Sequence, residues 1–349
     1  MAERRRAVAL ISGGLDSMLA AKVVMEQGVH VEGVNFYTGF CVEGHTHAIR
    51  RSDKAKQKRN NALWVAEQLG IKLHIVDVIE EYKDVLLNPK HGYGAHINPC
   101  LDCKVFMVKK AQAWSFMEEH NFDFIITGEV MGQRPMSQRK ETLPLIAKES
   151  GVTDRLLRPL CAKHLPPTLP EREGWVHREK LYDFHGRNRK PQIELARRYG
   201  FEDWAQPAGG CCFLTNADYT AKLRDLWDAR GERDYELDDI MLLKVGRHLR
   251  PAPHFKVIIG REQGENNYLE GYKNTYISLT PSSHQGPFAI IDGKAGAADI
   301  ELAARIVGRY SQGREAPAFS VTVRLPDGSE QALTVTPLAS ADIPEAWYV

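Results

Sequence analysis

A short apolar run, Ala7 to Ile11, stops abruptly at Ser12-Gly13-Gly14-Leu15-Asp16-Ser17 and gives way to a longer stretch with helical spacing. A buried strand feeding a glycine-rich turn and then a helix is a constrained arrangement. The two glycines let backbone approach an anion, and the helix start offers unpaired N–H groups and the positive end of its dipole. Ser12 and Ser17 add hydroxyl donors, and Asp16 is placed to hold Mg²⁺ against phosphates or to face a reacting group. The pattern lacks the lysine of Gly-x-x-x-x-Gly-Lys and the spacing of Gly-x-Gly-x-x-Gly, which argues against a P-loop kinase and a dinucleotide reductase. A plain serine–glycine turn with a helix cap is the simpler alternative on the residues alone.

The rest of the first half repeats the same alternation. Strands are expected at Val31 to Tyr37, Lys72 to Val78 and Phe122 to Thr127, with helices at Ser17 to Gln27, Ala55 to Leu69 and Val105 to His120. Such βαβα order predicts an α/β fold with a parallel sheet, whose ligands bind beyond the carboxyl ends of the strands. Four prolines between Arg158 and Trp175 predict an extended crossing there, followed by helices at Ile193 to Tyr199 and Tyr219 to Arg230. A boundary near the acidic Glu236 to Asp239 divides the chain into residues 1–235 and 236–349. The second part reads as an α+β module, with strands at Phe255 to Ile259, Thr275 to Leu279, Phe288 to Ile291, Ser320 to Val323 and Ala332 to Val335, and a helix at Ala297 to Tyr310.

At 349 residues two domains are expected. The formal net charge is only +1, so any nucleic-acid site has to come from local clusters. Three stand out, Arg4-Arg5-Arg6, Lys54 to Arg59, and Arg187 with Arg189 and Lys190 ahead of a helix. Each alone reads as a solvated surface run, although a basic cluster at a helix start also suits successive RNA phosphates. No apolar stretch approaches a signal peptide or a membrane span, so a soluble, cytoplasmic protein is expected.

Six cysteines are too few for a disulfide framework in a chain of this size. Cys100 and Cys103 begin a helix after Asn98-Pro99, where the helix end and Lys104 are expected to favour thiolates. No second Cys-x-x-Cys completes a zinc site. Adding Cys211, with Cys212 as its rival, makes three thiolates, a set that suits a [4Fe–4S] cluster with one open iron. A redox dithiol or buried structural thiols are the alternatives. Cys41, with His45 and His47, reads as a plain loop, and Cys161 as structural.

Ser-Gly-Gly-x-Asp-Ser after an N-terminal strand resembles the signature of the PP-loop ATP pyrophosphatases, of the adenine nucleotide α-hydrolase-like fold, which cleave ATP to AMP and pyrophosphate. The resemblance implies that Ser12, Gly13, Gly14, Asp16 and Ser17 bind ATP with Mg²⁺, that Gly128 and Arg134 line the nucleotide, and that Asn35 and Phe36 grip adenine. The cysteines are similar to two patterns among tRNA-thiolating members. One is a three-cysteine cluster set; the other is the catalytic pair of the tRNA 2-thiouridylases, matched here by Cys103 and Cys212. About the last hundred residues, with Gly260-Arg261-Glu262-Gln263-Gly264, Arg305 and Arg309-Tyr310-Ser311, resemble the RNA-binding domain of NFACT proteins. Unlike the tRNA 4-thiouridine synthetases, the chain shows no RNA-binding extension before the phosphate loop, so the second module is expected to hold tRNA.

Together these imply a tRNA uridine thiolase. AMP transfer turns a poor leaving oxygen into a phosphate ester, and sulfur then displaces AMP at carbon. Sulfur would come from sulfide or from a cysteine desulfurase relay. A ligase or amidotransferase adenylating a small molecule, and an RNA adaptor with a relic loop, are the competing classes.

Overall fold

A computed structural model describes residues 4–42, 60–115, 120–204 and 211–349. These form two compact units, divided between residues 215 and 216. In the first, β1 (Arg6–Leu10), α1 (Leu15–Met25), β2 (His30–Tyr37), α2 (Asn61–Leu69), β3 (Leu73–Asp77), α3 (Ile79–Leu87), α4 (Cys100–Ser115), β4 (Phe124–Ile126), α5 (Thr142–Glu149), β5 (Leu156–Leu157) and α6 (Lys190–Arg198) follow in order. The five strands form a wholly parallel sheet in the order β3-β2-β1-β4-β5. Its chain order reverses at β1, so the crevice beyond Leu10 and Ile126 is the topological switch point where such sheets bind ligands.

Both faces of the sheet are covered by apolar side chains. Ala7, Ala9 and Ile11 pack with Leu15, Met18 and Leu19 of α1 on one side. Val8, Val34 and Phe36 pack with Val108 and Ala111 of α4 on the other. The β-branched runs become central strands for this reason: burial on both faces leaves no polar alternation to read. Two helices, α3 and α5, and the two-residue β5 were not expected from sequence. Each is short, and a two-residue strand carries no period. The proline-rich stretch expected to be extended contains one turn of helix at Leu169–Arg172, which tolerates Pro170 because it lies in the first turn. The expected helix start near Ala55 and the basic run Lys54 to Arg59 lie outside the described residues.

The second unit opens with α7 (Ala217–Arg230) and α8 (Leu237–Leu242). Strands β6 (Arg247–Ala252), β7 (Phe255–Ile259), β8 (Ile277–Pro281), β9 (Ala289–Gly293), β10 (Phe319–Arg324) and β11 (Glu330–Val335) build an antiparallel sheet, ordered β11-β10-β8-β9-β7-β6. Between β7 and β8 lies α9 (Gln263–Glu270), and α10 (Ala297–Arg309) covers the sheet with Ala303, Ile306 and Val307. The acidic segment near 236 is therefore not where the units part. Helix α7 belongs to the second unit because Tyr219 donates to the Ile240 carbonyl at 3.0 Å and Asp225 pairs with Arg250 and with the fully buried Lys256.

In the first unit the turn after β4 is fastened to the end of β5 by a buried ion pair. Arg158 Nε lies 2.9 Å from Glu129 Oε2, with both side chains about 4% exposed or less. Thr127 Oγ1 donates to the same oxygen at 3.0 Å, and Arg158 Nη2 donates to the Leu143 carbonyl at 3.0 Å. Burial alone would raise the Glu129 pKa, but Arg158 and Lys104 outweigh it and hold the carboxyl below its usual range. The pair therefore stabilises the fold above the unfolded carboxyl pKa of about 4.3, and that contribution is lost as pH falls through the lower folded value. Arg158→Met should cost about 3–5 kcal/mol in urea unfolding at pH 7, because it strands a buried charge, and adding Glu129→Gln should restore most of it.

Candidate functional site

Helix α1 starts without a side-chain cap. Gly14 is its N-cap residue and makes no side-chain bond, whereas α2 is capped by Asn60, whose Oδ1 accepts from Ala62 and Leu63 at 3.0 and 3.1 Å. The first N–H groups of α1 therefore face the crevice, where an anion would satisfy them. Ser17 Oγ turns back to donate to the Gly14 carbonyl at 2.8 Å and receives the Ser12 amide at 3.3 Å, which closes the loop into a fixed cradle. Gly13 sits at φ +77°, and a Cβ there would stand 2.8 Å from the Asn61 Cβ, so both conformation and space require glycine.

Gly128, in the turn after β4, was expected to make room for a nucleotide. Its immediate neighbour is protein: a Cβ would lie 2.5 Å from the Asp16 carbonyl carbon and from the Ser17 nitrogen. The glycine thus lets the β4 turn press against the phosphate loop itself. From that turn Gln133 reaches across, its Nε2 donating to Asp16 Oδ2 at 2.6 Å. Arg189 Nη2 meets the same oxygen at 3.1 Å, and Gln192, wholly buried, donates to Gln133 Oε1 at 2.9 Å. Asp16 Oδ1, Arg189 Nε and Gln192 Oε1 are buried with no partner among the described residues. A carboxylate with one oxygen held and one left bare fits a divalent cation such as Mg²⁺.

These contacts correct three expectations. Arg189 is turned inward onto Asp16 and is not part of an RNA-facing run, since bridging of Met131 with His185 brings its segment beside the β4 turn. Its neighbours Arg187 and Lys190 stay exposed. Phe36 is a core residue, 6% exposed among Val8, Val34 and Leu101. Successive strand residues face opposite sides, so Asn35 points the other way and donates to the Ile11 carbonyl at 2.6 Å, holding the entrance of the phosphate loop. The run Arg4 to Arg6 is likewise tied down, by the Gly28 carbonyl, Asp123 and Glu32.

The thiols form a second neighbourhood. Cys100 begins α4, with the Asn98 amide donating to its sulfur at 3.2 Å. Burial raises the Cys100 pKa above the usual thiol range, against the pull of Asn98, Lys104 and Arg134. Burial pushes Cys103 up to about 12, and the charge of Cys211 adds to it, although the Tyr82 hydroxyl bonds its sulfur. The helix end was expected to favour thiolates at both; desolvation outweighs it. Cys211 goes the other way, lowered first by the hydrogen bond from the Cys212 thiol and then by Lys104 and Arg134. Cys212 pairs by backbone with Cys41, so the latter borders the thiol neighbourhood; His45 and His47 lie outside the described residues. Cys161 is buried, its thiol donating to the Glu129 carbonyl at 3.2 Å. Among the described residues no three His, Cys, Asp or Glu side chains are grouped to hold a metal ion. The expected [4Fe–4S] set of Cys100, Cys103 and Cys211 is not among such groups.

One loop joins the two neighbourhoods. Gln133 bonds the phosphate-loop carboxylate, while the adjacent Arg134 is exposed and lies in the field of Cys211 and Cys100. Residues 5–149 match the family model described as the tRNA methyl transferase HUP domain, and residues 246–348 match the NFACT protein RNA binding domain. The first part of the chain is thus similar to a tRNA-modifying HUP domain, and the last part to an NFACT RNA-binding domain. Among curated proteins it is similar to the tRNA-specific 2-thiouridylase MnmA of Malacoplasma penetrans (strain HF-2), 24% identical over 78% of this chain and 71% of that one. The MnmA of Pseudomonas savastanoi pv. phaseolicola (strain 1448A / Race 6) is 30% identical over 40% of this chain and 37% of its own length. Among solved structures, a 4-thiouridine synthetase–RNA complex with bound ATP aligns at 21% identity over 58% of this chain and 54% of that one, with a TM-score of 0.33.

In the first unit, Gln133 falls in the stretch after the fourth strand that the resemblance places near the nucleotide, but its contact with Asp16 and the part played by Gln192 were not foreseen from sequence. Gly128→Ala should displace the Asp16–Ser17 peptide and destabilise the domain by about 1–3 kcal/mol, as overpacking does. ATP affinity, measured by calorimetry on the folded variant, should fall much further than that of Gly174→Ala, an open glycine with no atom within 4 Å of its would-be Cβ.

Proposed function

We propose that this chain adenylates a uridine carbonyl in tRNA with ATP and replaces its oxygen with sulfur. The observation that carries the proposal is the loop from Thr127 to Gln138. It holds the Asp16 carboxylate of the phosphate cradle through Gln133 and borders the thiols through Arg134. An adenylating centre and a sulfur-handling centre on one short loop suit a reaction in which AMP must leave from the carbon that sulfur attacks.

In the first step the uracil oxygen attacks the α-phosphorus, the bond to the β-phosphate breaks, and pyrophosphate departs toward the free N–H groups of α1, Ser12 and Gly13. Bound Mg²⁺ would supply charge neutralisation on the phosphates, held through Asp16. Asp16 Oδ2, relieved of Arg189, would orient the cradle, and Arg189 would follow the charge onto the phosphates. In the second step a sulfur nucleophile adds to carbon and AMP leaves with the former carbonyl oxygen. Cys103 and Cys212 match the catalytic pair of the similar thiouridylases. A persulfide placed by the relay on the ionised member of the adjacent Cys211 and Cys212 pair would attack the carbon through its terminal sulfur as AMP leaves; the Cys103 thiol would then attack the cysteine sulfur, breaking the S–S bond to release the thiocarbonyl and leaving a protein disulfide for an external thiol to reduce. The likeness to tRNA-specific 2-thiouridylases, and that of the second unit to an RNA-binding domain, support tRNA as the substrate; a cysteine desulfurase relay is the expected sulfur source.

Asp16→Ala and Arg189→Ala should each lower tRNA-dependent ATP–pyrophosphate exchange by at least about a hundredfold, the scale of losing one charge-stabilising group. Exchange at the wild-type rate without tRNA, with a small carboxylic acid as acceptor, would overturn the tRNA reading in favour of a ligase. For the sulfur step, alkylation at pH 7 should label Cys211 ahead of Cys100 and Cys103, because only its thiolate is favoured. Thiolation should persist in iron-free protein and vanish in Cys103→Ser. Loss of activity on iron removal, with recovery on reconstitution, would reinstate the cluster.

A further inference from the structure

The RNA-binding domain presents two separate clusters of partly exposed tyrosines, and their surroundings differ in the sign of charge. The first is a ladder of Tyr268, Tyr272 and Tyr276, with ring centroids 5.7 and 6.1 Å apart. Its rings lie in an acidic field. The Tyr272 hydroxyl donates to Asp238 at 3.1 Å, and after burial itself, Asp292, Asp239 and Asp238 raise the Tyr276 pKa to about 12. Arg230 offsets part of that field through its pair with Asp239 at 2.6 Å, which leaves it no free charge to offer a phosphate.

The second cluster lies where β6, the end of α10 and the C-terminal residues meet. The Tyr310 and Tyr348 hydroxyls share a hydrogen bond at 2.8 Å, and the Arg247 guanidinium sits 5.0 Å over the Tyr310 ring. Arg309 stands beside it, and burial and Tyr348 raise the Tyr310 pKa while Arg247 and Arg309 pull it back. Tyr348 is 50% exposed and Arg247 is exposed. Glu315 lies 3.6 Å from Arg309, with side chains 84% and 23% exposed, a long pair whose acid sits in solvent. Arg314, next to Glu315, is also exposed.

We infer that Arg247, Arg309, Tyr310 and Tyr348 form the face of this domain that docks tRNA, with the arginines on backbone phosphates and Tyr348 stacking an unpaired base. This rests on the reading of the substrate as RNA and deepens it, because the family likeness does not say which face of the sheet is used. Guanidinium groups beside aromatic rings are the combination that single-stranded RNA requires: phosphate neutralisation for affinity, and a flat apolar platform that any base can cover. The ladder at Tyr272 has the platform, but its nearby cations are already committed, Arg230 to Asp239 at 2.6 Å and Lys256 to Asp292 at 3.5 Å.

The test is tRNA binding by the full chain, followed by fluorescence anisotropy across a salt series. Arg247→Gln with Arg309→Gln should weaken binding at least tenfold at low salt and reduce the logarithmic salt slope by about 1.4, at roughly 0.7 per lost phosphate contact on single strands. The paired Arg→Lys variants should keep the wild-type slope, since they keep the charge. Tyr348→Ala should weaken binding about tenfold with the slope unchanged, and Tyr272→Ala, on the acidic face, should bind as wild type. Wild-type affinity in the Gln pair and in Tyr348→Ala overturns the assignment of this face while leaving the RNA reading in place. If the unaltered chain binds no tRNA, both fall.

Discussion

The first domain depends on the contact between Gly128 and the Asp16–Ser17 peptide. Two loops that leave the sheet from adjacent parallel strands are pressed together at a distance that excludes even a methyl group. That closeness lets Gln133 reach Asp16, and it sets the β4 turn so that its other side chains border the cysteines. The buried Glu129–Arg158 pair secures the same turn from behind, through the end of β5. A packing constraint at one glycine thus organises both the phosphate loop and the loop that borders the thiols.

Charge in this domain is arranged in small neutralised groups. Asp16 is held by Arg189 and Gln133, Glu129 by Arg158 and Thr127, and the thiols share Lys104 and Arg134 as neighbouring cations. Such groups leave little net field, in keeping with a chain whose formal charge is only +1. Incoming phosphates would find donors already aimed at them, and the cost of assembling those donors is met on folding. In the second domain Asp239 and Asp292, by one set of tyrosines, are paired with Arg230 and Lys256, while Arg247 lies over the ring of the other set with no ion pair among the described residues.

The cysteines show how burial alters chemistry that spacing alone suggests. Four thiols lie within each other's influence, yet two are held neutral and one is favoured as thiolate by the thiol beside it. Side by side in opposite protonation states, Cys211 and Cys212 have the makings of a thiol–thiolate pair.

From the sequence alone, the strand–loop–helix at Ala7 to Ser17, the alternating order of the sheet, and the helix over Ala297–Arg309 were legible, because each rests on local periodicity or on a motif whose glycines have one use. Cys100, Cys103, Cys211 and Cys212 were also marked by spacing. Only the tertiary structure decided that Arg189 serves Asp16 and not RNA, that Gln133 and Gln192 belong to the site, and that Phe36 is core while Asn35 braces the loop. Those assignments depend on which side of a strand faces the crevice and on contacts between residues more than fifty positions apart, such as Gln133 with Gln192 and Asp16 with Arg189. The protonation states of the thiols were equally out of reach, since desolvation is a property of the packed interior and leaves no trace in the order of the residues.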